Sequence, residues 1–154
     1  LVDVLADLLP KRPNAMLAFV GDGPDRPAVQ QHAKKLGIAN HVLFLGQRSD
    51  VNRLYQAFDV FCLPSLYEGL GIVGVEAQRA GLPCLFADAI TREVDVTGIP
   101  RFMTTESYKE WSSFISALEP GTRIDSSDKA FSGYDISENA RKLTSMYLKL
   151  FEKK

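Results

Sequence analysis

"DVFCLPSLYEGLGIVGVEAQRAGLPCLFAD", residues 59–88, carries the alternation that decides the fold. A short apolar run ends at Pro64 and a glycine-rich turn follows. Residues 72–80 then have helical spacing, and Gly81-Leu82-Pro83 stops them before a second apolar run, "PCLFAD". A strand, a helix and a strand at this spacing form a β-α-β unit, whose two strands run parallel. The turn inside it places Glu68 and Glu76 on either side of Gly69 and Gly71.

The same pattern extends outward on the N-terminal side. Leu1, Val4, Leu5, Leu8 and Leu9 share one helical face, and "AMLAFVG" reads as a strand. A helix over 26–36 stops at Gly37, and "HVLFLG" is the next strand, ended by Gly46. Asp50 is expected to cap the short helix "VNRLYQAF". On the C-terminal side, Ser107 with Glu110 predicts a capping box, and Tyr108, Trp111, Ile115 and Leu118 follow at helical spacing, so Trp111 is read as core. Residues 119–134 read as a long loop. A last helix opens at Asp135, with Ile136, Ala140, Leu143, Tyr147 and Leu150 along one side. Successive β-α-β units predict an α/β fold, a doubly wound parallel sheet covered on both faces. Ligands bind such sheets beyond the carboxyl ends of the strands, where the quoted turn lies.

Composition narrows the function. A chain of 154 residues, 45% hydrophobic, suits one domain with a full core. Lys and Arg total 18 against 19 Asp and Glu, without a basic run, which argues against nucleic acid as a partner. No apolar stretch reaches the roughly 20 residues needed to span a bilayer, and no signal peptide is visible. Cys62 and Cys84 sit in apolar runs and are read as buried thiols of a reducing, cytoplasmic compartment. His32 and His41 have no partner at metal spacing and are assigned no chemistry.

The turn has a definite chemistry. Gly69 and Gly71 let a backbone approach a ligand, and the helix beginning near Ile72 aims free N–H groups into the turn, a ready anion site. Two carboxylates beside a phosphate repel it, so they suit sugar hydroxyls better. Glu76 lies about five residues into the helix, a rise of roughly 7 Å, so the two acids are expected to hold different parts of one ligand. Other readings remain open at this point. A magnesium site wants an Asp-x-Asp arrangement, which is absent from the sequence. A hydrolytic carboxylate pair lacks supporting residues, and both acids could be merely solvated. Gly74 inside the helix costs about 1 kcal/mol against alanine and implies close packing or close approach. "GDGPD", residues 21–25, lacks the third glycine of a dinucleotide loop and the Gly-Lys-Ser/Thr of a P-loop.

From about Phe19 to Val96 the chain resembles the nucleotide-sugar half of retaining glycosyltransferases of family 4, which have the two-domain GT-B fold. The resemblance rests on Gly-Asp-Gly-Pro, Phe-Leu-Gly, the Asp-Val-Phe strand, Pro-Ser-x-x-Glu-Gly, the Glu-x7-Glu pair and Ala-Gly-Leu-Pro, in the family order. "LPSLYEGLGIVGVEAQ" and "ITREVDVTG" are most similar to members that build capsular or extracellular polysaccharide. The resemblance implies that Glu68 holds the transferred hexose at the catalytic centre and that Glu76 holds the nucleotide ribose. It implies that Gly69, Leu70 and Gly71 meet the sugar and diphosphate through backbone N–H groups. Gly46, Gln47 and Arg48 would lie beside a uracil base, and Gly21 and Gly23 would line the same cleft. No metal or other cofactor is expected, because an arginine and a lysine neutralise the diphosphate in similar enzymes.

That Arg-x4-Lys signature belongs upstream of the segment matching residues 1–9, and Lys11 and Arg12 do not match it. Residues 1–154 are therefore read as a donor-domain fragment truncated at its N-terminus. Its first strand, its acceptor-binding domain and the histidine-bearing region of that domain are expected outside it. The fragment is expected to be inactive alone and to self-associate through the last helix. The full-length protein is expected to take a UDP-sugar and a carbohydrate or lipid-linked acceptor, in the cytoplasm, with peripheral attachment at the inner face of the membrane. Leu70 stands where the family commonly has phenylalanine, and Gly74 where a larger apolar residue is usual. A sugar-nucleotide epimerase of the same architecture and a non-catalytic, flavodoxin-like nucleotide-binding module are the alternatives.

Overall fold

The computed structural model describes residues 1–125 and 127–151. The elements are α1 (Val2–Leu8), β1 (Leu17–Val20), α2 (Arg26–Lys35), β2 (Val42–Gly46), α3 (Val51–Ala57), β3 (Phe61–Leu63), α4 (Ile72–Arg79), β4 (Cys84–Ala87), β5 (Arg101–Met103), α5 (Tyr108–Ala117) and α6 (Ile136–Phe151). Single 3-10 segments run Ala39–His41, Arg92–Val94 and Asp128–Tyr134.

Every strand pair is parallel, as the β-α-β spacing requires. The strands nevertheless form two sheets, β1-β2 and β3-β4-β5, in place of one continuous sheet. Among the described residues β1 bonds only to β2 and β3 only to β4, so no backbone ladder joins the two groups.

Strand β4 shows why the sheet is double-faced. Leu85 and Phe86, adjacent in sequence, point to opposite sides and are both 0% exposed. Leu85 packs with Val4 of α1 and Trp111 of α5. Phe86 packs with Tyr55 of α3, Val75 and Ala77 of α4, Leu82 and Val94. A separate cluster of Val2, Leu5, Ala33, Ile38 and Val42 holds α1 and α2 on the first sheet. Trp111 is buried, and its indole N–H donates to the Thr104 carbonyl at 2.8 Å, which satisfies the polar edge of the core residue expected there.

Gly74 lies against Phe86 and Val94, so its lack of a side chain serves close packing within the protein. Gln78, one turn later, is buried with all its amide groups used. Its Nε2 donates to the carbonyls of Gly74 (3.0 Å) and Val94 (2.7 Å), and its Oε1 accepts from Val96 N (3.2 Å) and Thr97 Oγ1 (3.0 Å). That network ties the 94–97 segment to α4.

Three local expectations need correction, and one strand, β5, is added to them. Asp50 occupies the N-cap of α3 but no side chain caps that helix, because the Asp50 carboxylate is held by Arg48. Ser107 likewise stands at the N-cap of α5 without a side-chain bond; the Glu110 N–H donates to the Ser107 carbonyl instead of its hydroxyl. Strand β5 has a sequence, "RFM", too short to show a period, and it exists because β4 offers it a ladder. The loop expected over 119–134 contains the 3-10 segment Asp128–Tyr134, whose Phe131 inserts into the core and lies under the Arg79 guanidinium, 5.3 Å from ring centre. Residue 126 of that loop lies outside the described residues. The last helix is as expected: the Glu138 N–H donates to Asp135 Oδ1 at 2.8 Å. No residue of α6 is buried.

Candidate functional site

Gly71 is the N-cap of α4, with φ +66° and ψ +48°, the left-handed region that glycine enters without a Cβ penalty. This sets how the loop after β3 enters α4, and Gly74 N donates back to the Gly71 carbonyl at 2.8 Å. No side chain caps α4, so the positive end of the helix faces the loop that holds Glu68. Glu68, Gly69 and Leu70 are exposed. The Glu68 carboxylate is oriented by Ser65, whose hydroxyl donates to Oε1 at 2.7 Å. Tyr67 beside it is 92% exposed.

Glu76 is exposed on α4, and its Oε2 accepts from the Tyr55 hydroxyl at 3.1 Å. It lines a groove of about 1120 Å³ between α3, α4 and the Asp128–Tyr134 segment, with Ser49, Asn52, Tyr55, Val75 and Tyr134 among the walls. None of Gly21, Gly23, Gly46, Gln47, Arg48, Gly69, Leu70 or Gly71 lines that groove. Glu76 thus lines the groove, and Ser49 and Ile72, which follow Arg48 and Gly71 in the chain, are also among its walls.

Two of those loops are joined. The Gly21 N–H donates to the Gly46 carbonyl at 2.8 Å, and both glycines have positive φ, +113° and +65°. The loops after β1 and β2 are therefore held edge to edge at this point. Gly23 is exposed and its N–H donates to Asp22 Oδ1 at 3.0 Å. Gln47 and Arg48 are exposed, but the Arg48 guanidinium is forked onto Asp50, with Nε to Oδ1 and Nη2 to Oδ2 both 2.8 Å. This pair raises the Arg48 pKa and lowers that of Asp50, the hydrogen bond being the main cause in each. The guanidinium is thereby engaged within the chain.

Sequence reasoning assigns no role to Ser65, although it stands in the Pro-Ser-x-x-Glu-Gly motif, nor to Tyr55. Ser65 carries a usable signal, a hydroxyl three residues before a carboxylate in a turn. Tyr55 carries none, since a tyrosine in a short amphipathic helix reads as core. The residues assigned no chemistry are structurally engaged: His32 Nε2 lies 2.8 Å from Asp3 Oδ1, and His41 Nδ1 lies 3.0 Å from the Ala15 carbonyl. Arg12 donates from Nη2 to the carbonyls of Ser116 and Leu118 at the end of α5, and Lys11 lies 3.7 Å from Asp7. Burial pushes the Cys62 thiol up to about 12 and raises that of Cys84 as well, so both stay protonated at neutral pH.

Comparison with known proteins bears on the fold and the family. "Putative glycosyltransferase EpsF" of Bacillus subtilis (strain 168) is 36% identical over 137 residues, covering 85% of this chain and 36% of that protein. The crystal structure of WaaG, a glycosyltransferase involved in lipopolysaccharide biosynthesis, superposes with a TM-score of 0.65 at 29% identity, over 75% of this chain and 32% of that one. HepE of Anabaena, crystallised with UDP and glucose, gives a TM-score of 0.65 at 26% identity, over 75% of this chain and 33% of its own. The chain thus spans about a third of the length of these relatives and has the Rossmann-like fold of a GT-B domain. Residues 1–97 match the family described as Glycosyl transferases group 1, and the chain belongs to that family.

Proposed function

We propose that residues 1–154 form the donor-binding part of a retaining glycosyltransferase that moves a hexose from a UDP-sugar to a carbohydrate or lipid-linked acceptor in polysaccharide biosynthesis. The observation that carries this reading is the start of α4. A left-handed glycine presents a helix N-terminus capped by no side chain, with Glu68 in the loop before it and Glu76 in the helix after it. In this reading the backbone N–H groups of Gly69, Leu70 and Gly71 and the helix dipole hold the diphosphate, with no metal. Glu68, held by Ser65, accepts from hexose hydroxyls, and Glu76 accepts from the ribose. Gly21, Gly23 and the 46–48 turn flank the nucleotide.

The chemistry needs no nucleophile from either carboxylate. The sugar leaves as an oxocarbenium-like species while positioned groups stabilise the departing diphosphate. The UDP bound by HepE supports uridine as the nucleotide. The acceptor, the remaining basic groups for the diphosphate and the first strand are assigned to chain beyond residues 1–154, so this segment alone is proposed to be inactive. The intact protein is proposed to work in the cytoplasm at the inner face of the membrane, where a lipid-linked acceptor lies.

The test is calorimetric titration of the intact protein with UDP, in the wild type and in Glu76→Ala. Loss of one charge-assisted hydrogen bond is expected to weaken UDP binding about tenfold or more; equal affinities would overturn the ribose assignment. Product NMR with acceptor should show the anomeric configuration of the donor retained. Conversion of UDP-sugar in the absence of acceptor would point to an epimerase instead.

A further inference from the structure

We infer that Tyr55 is a positioning residue for the Glu76 carboxylate, fixing the oxygen that faces the ligand; this rests on the assignment of Glu76 to the donor ribose. Tyr55 is only 4% exposed, anchored in the core between α3, α4 and β3, with its ring edge-on to Phe61 at 6.0 Å. Its hydroxyl nevertheless reaches the groove, where it lies 3.1 Å from Glu76 Oε2 and 3.2 Å from the Val73 carbonyl. One hydroxyl proton serves two acceptors, and the charged carboxylate is the stronger of them.

The arrangement couples a rigid part to a loose one. Glutamate on an exposed helix face has three side-chain torsions and loses much freedom when a ligand fixes it. The tyrosine ring has few torsions, and here packing holds it. With Oε2 taken by the hydroxyl, Oε1 is the oxygen left to accept from a vicinal diol. Burial, the Glu76 charge and the hydrogen bond to Glu76 together hold the Tyr55 phenol well above its ordinary pKa, so it remains a donor. The tyrosine itself need touch neither nucleotide nor sugar.

The test uses the intact protein and Tyr55→Phe, which keeps the ring contacts and removes the one oxygen. Dissociation constants are measured for UDP and for its 2′,3′-dideoxyribose analogue. We expect Y55F to weaken UDP about fivefold to tenfold and to leave the dideoxy analogue unchanged. In a Glu76→Ala background the same substitution should change UDP binding little, because its route is gone. A merely structural tyrosine would weaken both ligands alike and act equally in both backgrounds, which would overturn the inference. If E76A weakens UDP and Y55F does not, the positioning role fails alone. If E76A has no effect, the ribose assignment has failed first and the positioning role with it. A crystal structure of the wild type with UDP decides the matter even if Y55F does not fold. Tyr55 Oη is expected to remain on Oε2 with Oε1 on a ribose hydroxyl; a Glu76 carboxylate swung off Tyr55 overturns the proposal.

Discussion

A methyl group added at Gly74 would stand 2.9 Å from Phe86 Cζ and 2.9 Å from Val94 Cγ2, inside contact distance of two core side chains. Gly74→Ala gains about 1 kcal/mol of helix propensity but forces a fully buried ring and a buried valine apart, at about 1–3 kcal/mol. Overpacking wins, and we expect a lower melting temperature than wild type in thermal unfolding. A melting temperature equal or higher would show that the core yields at this point.

Gln78 makes four hydrogen bonds, one back to Gly74 within α4 and three across to residues 94–97. Gln78→Leu keeps the volume and strands buried backbone groups, at about 2–4 kcal/mol. Urea unfolding should show that loss, and amide exchange at Val96 and Gly98 should quicken ahead of the rest of the chain. Uniform protection across the segment would argue against the network.

The Arg48–Asp50 fork makes a signed pH prediction. Asp50 has its folded pKa lowered, so its contribution to stability is fully present above the ordinary carboxylate value, about 3.9, and disappears as pH falls through the lowered folded value. Arg48→Ala should move the Asp50 carboxylate titration, followed by carbon-13 NMR, up towards the ordinary value. An unmoved midpoint would mean that the pair is not formed in solution. Both groups are solvent-facing, so the effect on stability should be small and should shrink with salt.

Glu68 is separable from Glu76 by ligand. In the intact protein, Glu68→Gln is expected to weaken UDP-sugar binding by about tenfold while leaving UDP itself close to wild type. Ser65→Ala, which removes only the hydroxyl at 2.7 Å, should shift the same ratio in the same direction by less. An equal loss for UDP and UDP-sugar would reassign Glu68 away from the hexose.

Leu143, Met146, Tyr147 and Leu150 on α6 are each at least half exposed. As an isolated chain, residues 1–154 should therefore sediment with a concentration-dependent mass, and Leu143→Glu with Tyr147→Glu should return it to a monomer. A constant monomeric mass for the unaltered chain would show that this face does not pair with itself.

Much of this protein was legible one residue at a time. The β-α-β alternation, the helix stops at Gly37 and Gly81 and the start of α6 at Asp135 depend on local chemistry: backbone freedom at glycine, a carboxylate meeting a free N–H, apolar residues at helical spacing. So does the turn at Gly71, because only glycine enters its conformation cheaply. Order and spacing also place Glu68 in the loop before α4 and Glu76 within that helix, as the structure has them.

What the tertiary structure decided is which competing partner each polar group takes. Asp50 had a helix N-terminus within reach and went to Arg48, because two parallel bonds to a charged guanidinium outcompete one bond to an uncharged N–H. Strand β5 exists because β4 offers an unpaired edge, and the division into two sheets follows from which edges find partners; neither is written in a short apolar run. Tyr55 lies 21 positions from Glu76 in the chain, and only the packing of α3 against α4 brings its hydroxyl to that carboxylate. Local sequence carries conformational preference, whereas hydrogen-bond choice among distant groups depends on the distances that burial of the core imposes.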